Sequence, residues 1–328
     1  MKPTKHLIDE IKNILDHLPE LMKEAITADN FIEKRKAYGL IAAEMARDQP
    51  VIEGIETLEL SASNSQDNFK VPLFFHRPTN VDTSLPCLLW IHGGGYIIGS
   101  AESDAFMAKQ IAKVLNCAVA VVDYRLAPEH PYPLPLQDCF AVLNYIFDNT
   151  ESLNLDAKKI AVLGISAGAG LAAGLTLLNR DEAGNNLCGQ VLLYPMLDDK
   201  NILAAKGPDD NFLIWPRESN LFGWQSYLGK LFGGADVPPY AAAARSENLA
   251  GLPKALVIVG DLDLFVQEDI TYALELINAG VPTDLHVYSG GCHSFDKIAP
   301  ESLPGKRSSE EVEIFLSEIF SSPIQKLS

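Results

Sequence analysis

The stretch "KIAVLGISAGAGLAAGLTLLNR", residues 159–180, decides the fold. Its first part is a short apolar run, its last part a longer run of Leu and Ala, and between them one serine, Ser166, stands among glycines and alanines. An apolar run of that length bounded by glycine reads as a buried strand, and the segment after it as a helix. Small residues at such a join let the helix pack close to the sheet. They equally make room for a nucleophile elbow, a strained turn with the serine hydroxyl at its tip. The G-x-S-x-G pattern alone does not choose between the two.

Outward from this join the same alternation repeats. "PCLLWIHGGG" is a strand running into glycines, "DAFMAKQIAKVL" a helix, "CAVAVVDY" a strand and "LPLQDCFAVLNYIFDN" a helix. After the central stretch come the strand "GQVLLYP", the strand "KALVIVGD", the helix "EDITYALELINAG", the strand "TDLHVYS" and the helix "SEEVEIFLSEIF". Such a series predicts an α/β fold whose mostly parallel central sheet carries helices on both faces. Two earlier strands, "VIEGIETLELSA" and "FKVPLFFHRP", are separated only by the polar "SNSQDN" and predict an antiparallel hairpin. Before them, Leu7, Ile8, Ile11, Ile14, Leu15 and Leu18 are spaced for one helical face, and a second helical pattern runs from Phe31 to Ala46.

The chain thus divides into a helical segment, 1–48, and a sheet domain, 49–328. Residues 196–252 insert nearly sixty residues between two strands, a length that points to function. The aromatics of this insertion, Phe212, Trp215, Phe222, Trp224 and Tyr227, suit a local core or the lining of an apolar pocket.

Lys and Arg total 26 against 43 Asp and Glu, a formal charge of -17 that repels phosphate backbones and anionic membrane surfaces. No nucleic acid and no stable membrane association are expected. The amino terminus lacks the apolar core of a signal peptide, and no run approaches the roughly 18 apolar residues of a membrane span. Five widely spaced cysteines without C-x-x-C pairing indicate neither a disulfide framework nor a zinc site. A cytoplasmic location follows as the expectation.

In an open parallel sheet, ligands meet the protein beyond the carboxyl ends of the strands. Those ends carry His92-Gly93-Gly94-Gly95, Ser166, the "DLD" of Asp261 to Asp263, and His293. Each suits one part of nucleophilic catalysis on a carbonyl. Ser166 needs a base, His293 can take its proton, and a carboxylate can hold the imidazole in the right tautomer. Peptide N–H groups of the glycine tract, with that of Ala167 at a helix start, can receive an oxyanion. The order serine, acid, histidine matches one of the known serine-hydrolase orders. Asp261 could instead cap the helix starting near Val266, and spacing alone does not separate it from Asp263.

With these residues in place the chain resembles the hormone-sensitive-lipase-like branch of the α/β-hydrolases, which includes many bacterial carboxylesterases. The resemblance rests on "HGGGYIIGS", "YRLAPEHPYPLPLQD", "GISAGAG", "GDLDLF" and "HSF", and covers residue 70 or so to the carboxyl end. It implies nucleophile Ser166, base His293, oxyanion donors Gly94, Gly95 and Ala167, and no metal or organic cofactor. Members commonly read "DPL" at the acid; setting Phe265 against that Leu assigns the acid to Asp263. It further implies a cap built from 1–48 and part of the insertion, and a homodimer paired through the strand near 284–289.

Ile165 stands where the branch usually has an acidic residue, Ala169 replaces a frequent glycine, and Gln267 replaces an acid. None removes a catalytic atom. The proline-rich "YRLAPEHPYP" reads as a rigid turn with Arg125 paired to Glu129. Cys292, beside His293, reads as a buried thiol rather than a second nucleophile.

The implied activity is hydrolysis of short to medium acyl esters of a small-molecule substrate through an acyl-enzyme. An amidase or lactonase on the same residues, or a non-catalytic ligand-binding protein on this fold, are the alternatives, and His293 argues against the last.

Overall fold

The strands of the chain, described here from a computed structural model, are β1 (Ile55–Ser63), β2 (Lys70–Pro78), β3 (Leu85–Ile91), β4 (Ala118–Val122), β5 (Leu155–Ile165), β6 (Gly189–Leu193), β7 (Ala255–Gly260) and β8 (Thr283–Tyr288). The structure describes residues 7–17, 23–201 and 214–325. Leu18 of the first apolar stripe and Phe212 of the insertion lie outside them. The strands form one sheet in the order β1-β2-β4-β3-β5-β6-β7-β8. β2 is antiparallel to both of its neighbours, β1 and β4, and every pairing from β4 through β3 and β5 to β8 is parallel. The hairpin and the mostly parallel sheet are both as the sequence predicts.

Why the central strands read as unbroken apolar runs is clear from their surroundings. Every residue of β3 is buried, because both faces of the sheet are covered. Cys87, Leu89 and Ile91 point into one core, Leu88 and Trp90 into the other, the period-two alternation of a strand. Over the first core lie α4 (Leu134–Asp148), α5 (Ala167–Leu178) and α7 (Val266–Asn278). Over the second lie α1 (Asp9–His17), α3 (Ala101–Leu115) and α9 (Leu303–Phe320). Each fully buried aliphatic side chain there contributes about 1.5–3 kcal/mol. β8, at the sheet edge, alternates instead between half-buried and exposed positions.

The helical segment divides between two tasks. Leu7, just before α1, and Ile11 of α1 pack into the second core together with Phe295 of the segment that follows His293. α2 (Phe31–Asp48) lies over the carboxyl edge of the sheet, joined to α6 (Arg217–Leu228) of the insertion. The Ile26 N–H donates to Ser219 Oγ at 2.9 Å, and the rings of Phe31 and Phe222 lie 5.5 Å apart. Trp224 and Tyr227 of α6 are buried core residues, Tyr227 stacked on Tyr96 at 4.0 Å.

One local expectation is corrected. Arg125 does not pair with Glu129: its guanidinium makes two hydrogen bonds to Asp138, at 2.7 and 2.8 Å, and a third to Asp67, and its backbone N–H donates to Asp138 at 3.1 Å. Glu129 pairs with Arg35 of α2. The physical reason is that Asp138 is fully buried on α4 and needs a bidentate partner, whereas Glu129 reaches solvent and α2. The segment remains a rigid turn, now tied to the sheet domain by one residue and to α2 by the other.

Candidate active site

At the end of β5 the chain turns through Ser166 at φ 55°, ψ -120°, a region that side-chain-bearing residues rarely occupy. The turn is tolerated because its neighbours have no side chain to collide. A Cβ on Gly164 would lie 2.3 Å from the Gly168 carbonyl oxygen, and one on Gly168 would lie 2.3 Å from the carbonyl oxygens of both Ile91 and His92. The Ser166 carbonyl accepts from Ala169, Gly170 and Met196, and its N–H donates to Leu193 at 2.9 Å, so the start of α5 and the end of β6 fix it. The glycines and alanines of the opening stretch thus serve close packing and the strained turn together.

His293 sits in the loop after β8 with Nε2 2.9 Å from Ser166 Oγ and Nδ1 2.8 Å from Asp263 Oδ2. An ionised Asp263 places the ring proton on Nδ1 and leaves Nε2 to accept the serine hydroxyl. All three side chains are buried, and Tyr194 and Phe265 meet the imidazole edge-on at 4.9 and 5.2 Å. The ring therefore has little freedom to turn. Asp263 Oδ1 accepts the Phe265 N–H at 3.0 Å. Asp261 does not cap α7; its Oδ1 accepts the Gly290 N–H at 2.7 Å. Cys292 is buried, burial pushes its thiol up to about 12, and it is therefore a poor nucleophile at neutral pH.

The glycine tract after β3 passes directly beside the elbow. A Cβ on Gly93 would fall 3.4 Å from Ser166 Cβ. Gly94 and Gly95 adopt φ 116° and 59°, and the Gly94 carbonyl accepts from Ile97 and Ile98, which closes the loop. Among the described residues neither the Gly94 nor the Gly95 N–H has an acceptor. Gly95 is buried, so its donor awaits a partner from the cavity. His92 supports the loop from beneath: Nδ1–H donates to the Gly93 carbonyl at 2.8 Å, and its ring stacks on Tyr124 at 4.2 Å.

A cavity of about 320 Å³ opens over Ser166. Its walls include residues that sequence reasoning did not single out, Arg35, Tyr38 and Ala42 of α2 and Asp104 and Lys297 of the sheet domain. Only the general expectation of a cap could have pointed to α2. Trp215 and Ile165 also line it, so the apolar residue at the elbow is part of the wall. Of the insertion's aromatics, Trp215 takes the pocket role and Trp224 and Tyr227 the core role.

Comparisons with known proteins give the family of the chain. A family model described as alpha/beta hydrolase fold matches residues 88–297. The chain is similar to an arylesterase of Saccharolobus solfataricus, 28% identical over 94% of this chain and 96% of that protein. It is 30% identical to the esterase LipI of Mycobacterium tuberculosis, over 73% of this chain and 74% of that one. The solved structure of a bacterial heroin esterase superimposes with a TM-score of 0.90 at 34% identity, covering 97% of this chain and 99% of that chain. This chain belongs to the α/β-hydrolase fold family, in the hormone-sensitive-lipase-like branch whose motifs it carries.

Proposed function

We propose that this chain, a carboxylic ester hydrolase by family, cleaves short to medium acyl esters of small molecules through an acyl-enzyme on Ser166. The observation that carries the reading is the continuous hydrogen-bonded path from Ser166 Oγ through His293 to Asp263, at 2.9 and 2.8 Å, beside the free N–H groups of Gly94 and Gly95. Ser166 attacks the ester carbonyl as His293 Nε2 takes its proton, and Asp263 stabilises the imidazolium. The N–H groups of Gly94, Gly95 and Ala167 hold the oxyanion, each worth about 3 kcal/mol in the transition state. His293 returns the proton to the departing alcohol, then activates the water that releases the acid. No step calls for a metal or organic cofactor.

A cavity of about 320 Å³ is small for a ligand site, which favours short to medium acyl chains. α2 and the part of the insertion around Trp215 and α6 act as its cap. The second edge of β8 has no strand beside it among the described residues, and Val287 is exposed there, which supports a homodimer through residues 284–289. Five unpaired cysteines favour the cytoplasm, and no described helix is long and apolar enough to cross a membrane.

The test is hydrolysis of p-nitrophenyl esters of increasing acyl length by the purified protein, with Ser166→Ala alongside. Short esters turned over by the wild type and not by the variant support the reading, and equal rates in both favour a binding protein. Matched ester and amide substrates, with a lactone beside them, separate the esterase from the amidase and lactonase readings.

A further inference from the structure

The cavity over Ser166 has a lining of two kinds. One is apolar and includes Trp215, whose ring a Cβ on Gly95 would meet at 2.0 Å, with Ile98, Ile165 and Ile214. The other is polar and includes Ser100, Ser103, Asp104, Ser294 and Lys297. Lys297 Nζ donates to Asp104 Oδ1 at 2.8 Å, and Trp90 Nε1–H donates to Asp104 Oδ2 at 2.9 Å. Burial works against the charge on Asp104, but the Lys297 ammonium and the two hydrogen bonds outweigh it and hold the carboxyl below its usual range.

The chemistry of the reaction orients a substrate in this cavity. The carbonyl oxygen must face Gly94 and Gly95, and the departing oxygen must face His293 Nε2, which protonates it. Lys297 stands four residues after His293, in the short helix α8 (Phe295–Ile298), with Ser294 between them. The polar residues thus continue directly from the segment that carries the base.

We propose that these polar residues form the leaving-group side of the cavity, an alcohol subsite that selects esters whose alcohol carries a further hydroxyl, such as glycol and glycerol esters, with Lys297 donating to that hydroxyl and Asp104 accepting from it. The inference rests on the hydrolytic reading above. The pair offers one cation and one anion, so it presents a donor and an acceptor rather than a net field. A neutral hydroxyl, which both donates and accepts, matches that pattern better than a charged group does. Lys297 has N–H groups beyond the one given to Asp104, and each Asp104 oxygen keeps a lone pair. Arg35, the other cation of the cavity, is occupied by Glu129 and by the carbonyls of Ile97 and Ala127. That leaves Lys297 as the specificity-determining cation.

The experiment measures kcat/KM for glycerol monoacetate and propyl acetate by acetate release. The proteins are the wild type, Lys297→Met, Lys297→Arg and the double variant Asp104→Asn/Lys297→Met, which leaves no buried charge stranded. Near-UV circular dichroism verifies that each variant is folded, and p-nitrophenyl acetate turnover is measured on the wild type. The expected result is a glycerol-to-propyl preference that falls about tenfold in Lys297→Met and in the double variant, and is largely kept in Lys297→Arg. A preference near one in the wild type, or one that survives in the folded double variant, overturns the subsite while leaving the esterase reading intact. Failure of the wild type to hydrolyse any of the three esters overturns the hydrolytic reading, and the subsite with it.

Discussion

Asp261 and Asp263 stand two residues apart after β7 and serve different partners: Asp263 Oδ2 lies 2.8 Å from His293 Nδ1, while Asp261 Oδ1 accepts the Gly290 N–H at 2.7 Å. The first holds the imidazole, and the second pins the loop on which the imidazole rides. Asp263→Asn is expected to lower kcat about 10⁴-fold, because an amide no longer enforces the tautomer with the proton on Nδ1. Asp261→Ala removes one loop hydrogen bond and is expected to cost about 1 kcal/mol of stability, with a far smaller loss of rate. Steady-state kinetics on p-nitrophenyl acetate with urea denaturation of both variants checks this. Equal rate losses would contradict the division.

Asp269 of α7 is fully buried, and no donor among the described residues reaches either carboxylate oxygen. Burial, then the charges of Glu268 and Asp263, push its carboxyl well above the usual range. The folded state therefore keeps this proton at pH values where the unfolded chain has lost it. The sign follows: stability from this group is whole below the unfolded value of about 4 and declines as pH rises from there toward the folded value, by at most about 1.4 kcal/mol per pH unit. Asp269→Asn is neutral at every pH and escapes the decline. Its melting temperature is expected to rise relative to the wild type between pH 5 and pH 8, and a gap that stays flat across that range would sink the argument.

How far the sequence carries can be judged at particular residues. β3, β5 and α5 were legible because strand and helix periods are local, and a glycine-flanked serine at a strand end has few structural readings. The pairing of His293 with Asp263 rather than Asp261 was not legible from spacing, since two residues of a tight turn differ by the direction of the side chain. Arg125 misled for a related reason. Glu129 is its neighbour in sequence, but Asp138, one turn into α4, is the carboxylate that burial leaves without water. The Lys297–Asp104 pair joins residues 193 apart in the chain, and no local pattern encodes that contact.

The two ion pairs of the proline-rich turn should differ sharply in worth. Asp138 is buried beneath Arg125, whereas the Glu129 side chain that meets Arg35 is 48% exposed. Breaking a buried pair strands a charge, so Asp138→Ala is expected to cost about 3–5 kcal/mol. Glu129→Ala, at an exposed pair, is expected to cost under about 1 kcal/mol. Urea midpoints of the two variants, compared with the wild type, decide it; similar midpoints would mean that the Arg125 interactions with Asp67 and Phe69 carry the turn instead.

Trp215 offers the most direct control of substrate size. Its ring is 5% exposed, rests on Gly95, lies 6.3 Å from the His293 ring, and is held by an Nε1–H bond to Asn220 Oδ1 at 3.2 Å. It thus walls the cavity beside the Gly95 loop and the His293 ring. Trp215→Ala removes that wall, and Trp215→Phe keeps part of it. Because one methylene in an apolar pocket is worth about 1–3 kcal/mol, the octanoate-to-acetate ratio of kcat/KM should rise at least about tenfold in Trp215→Ala, with Trp215→Phe intermediate. The gain should fall mainly in KM for the long ester, since the groups around the reacting carbonyl stay in place. A parallel fall for both esters, centred on kcat, would give Trp215 a different task, that of pressing the Gly95 loop into position, and the chain-length limit would then belong to Tyr38 and Ile214, which line the same cavity.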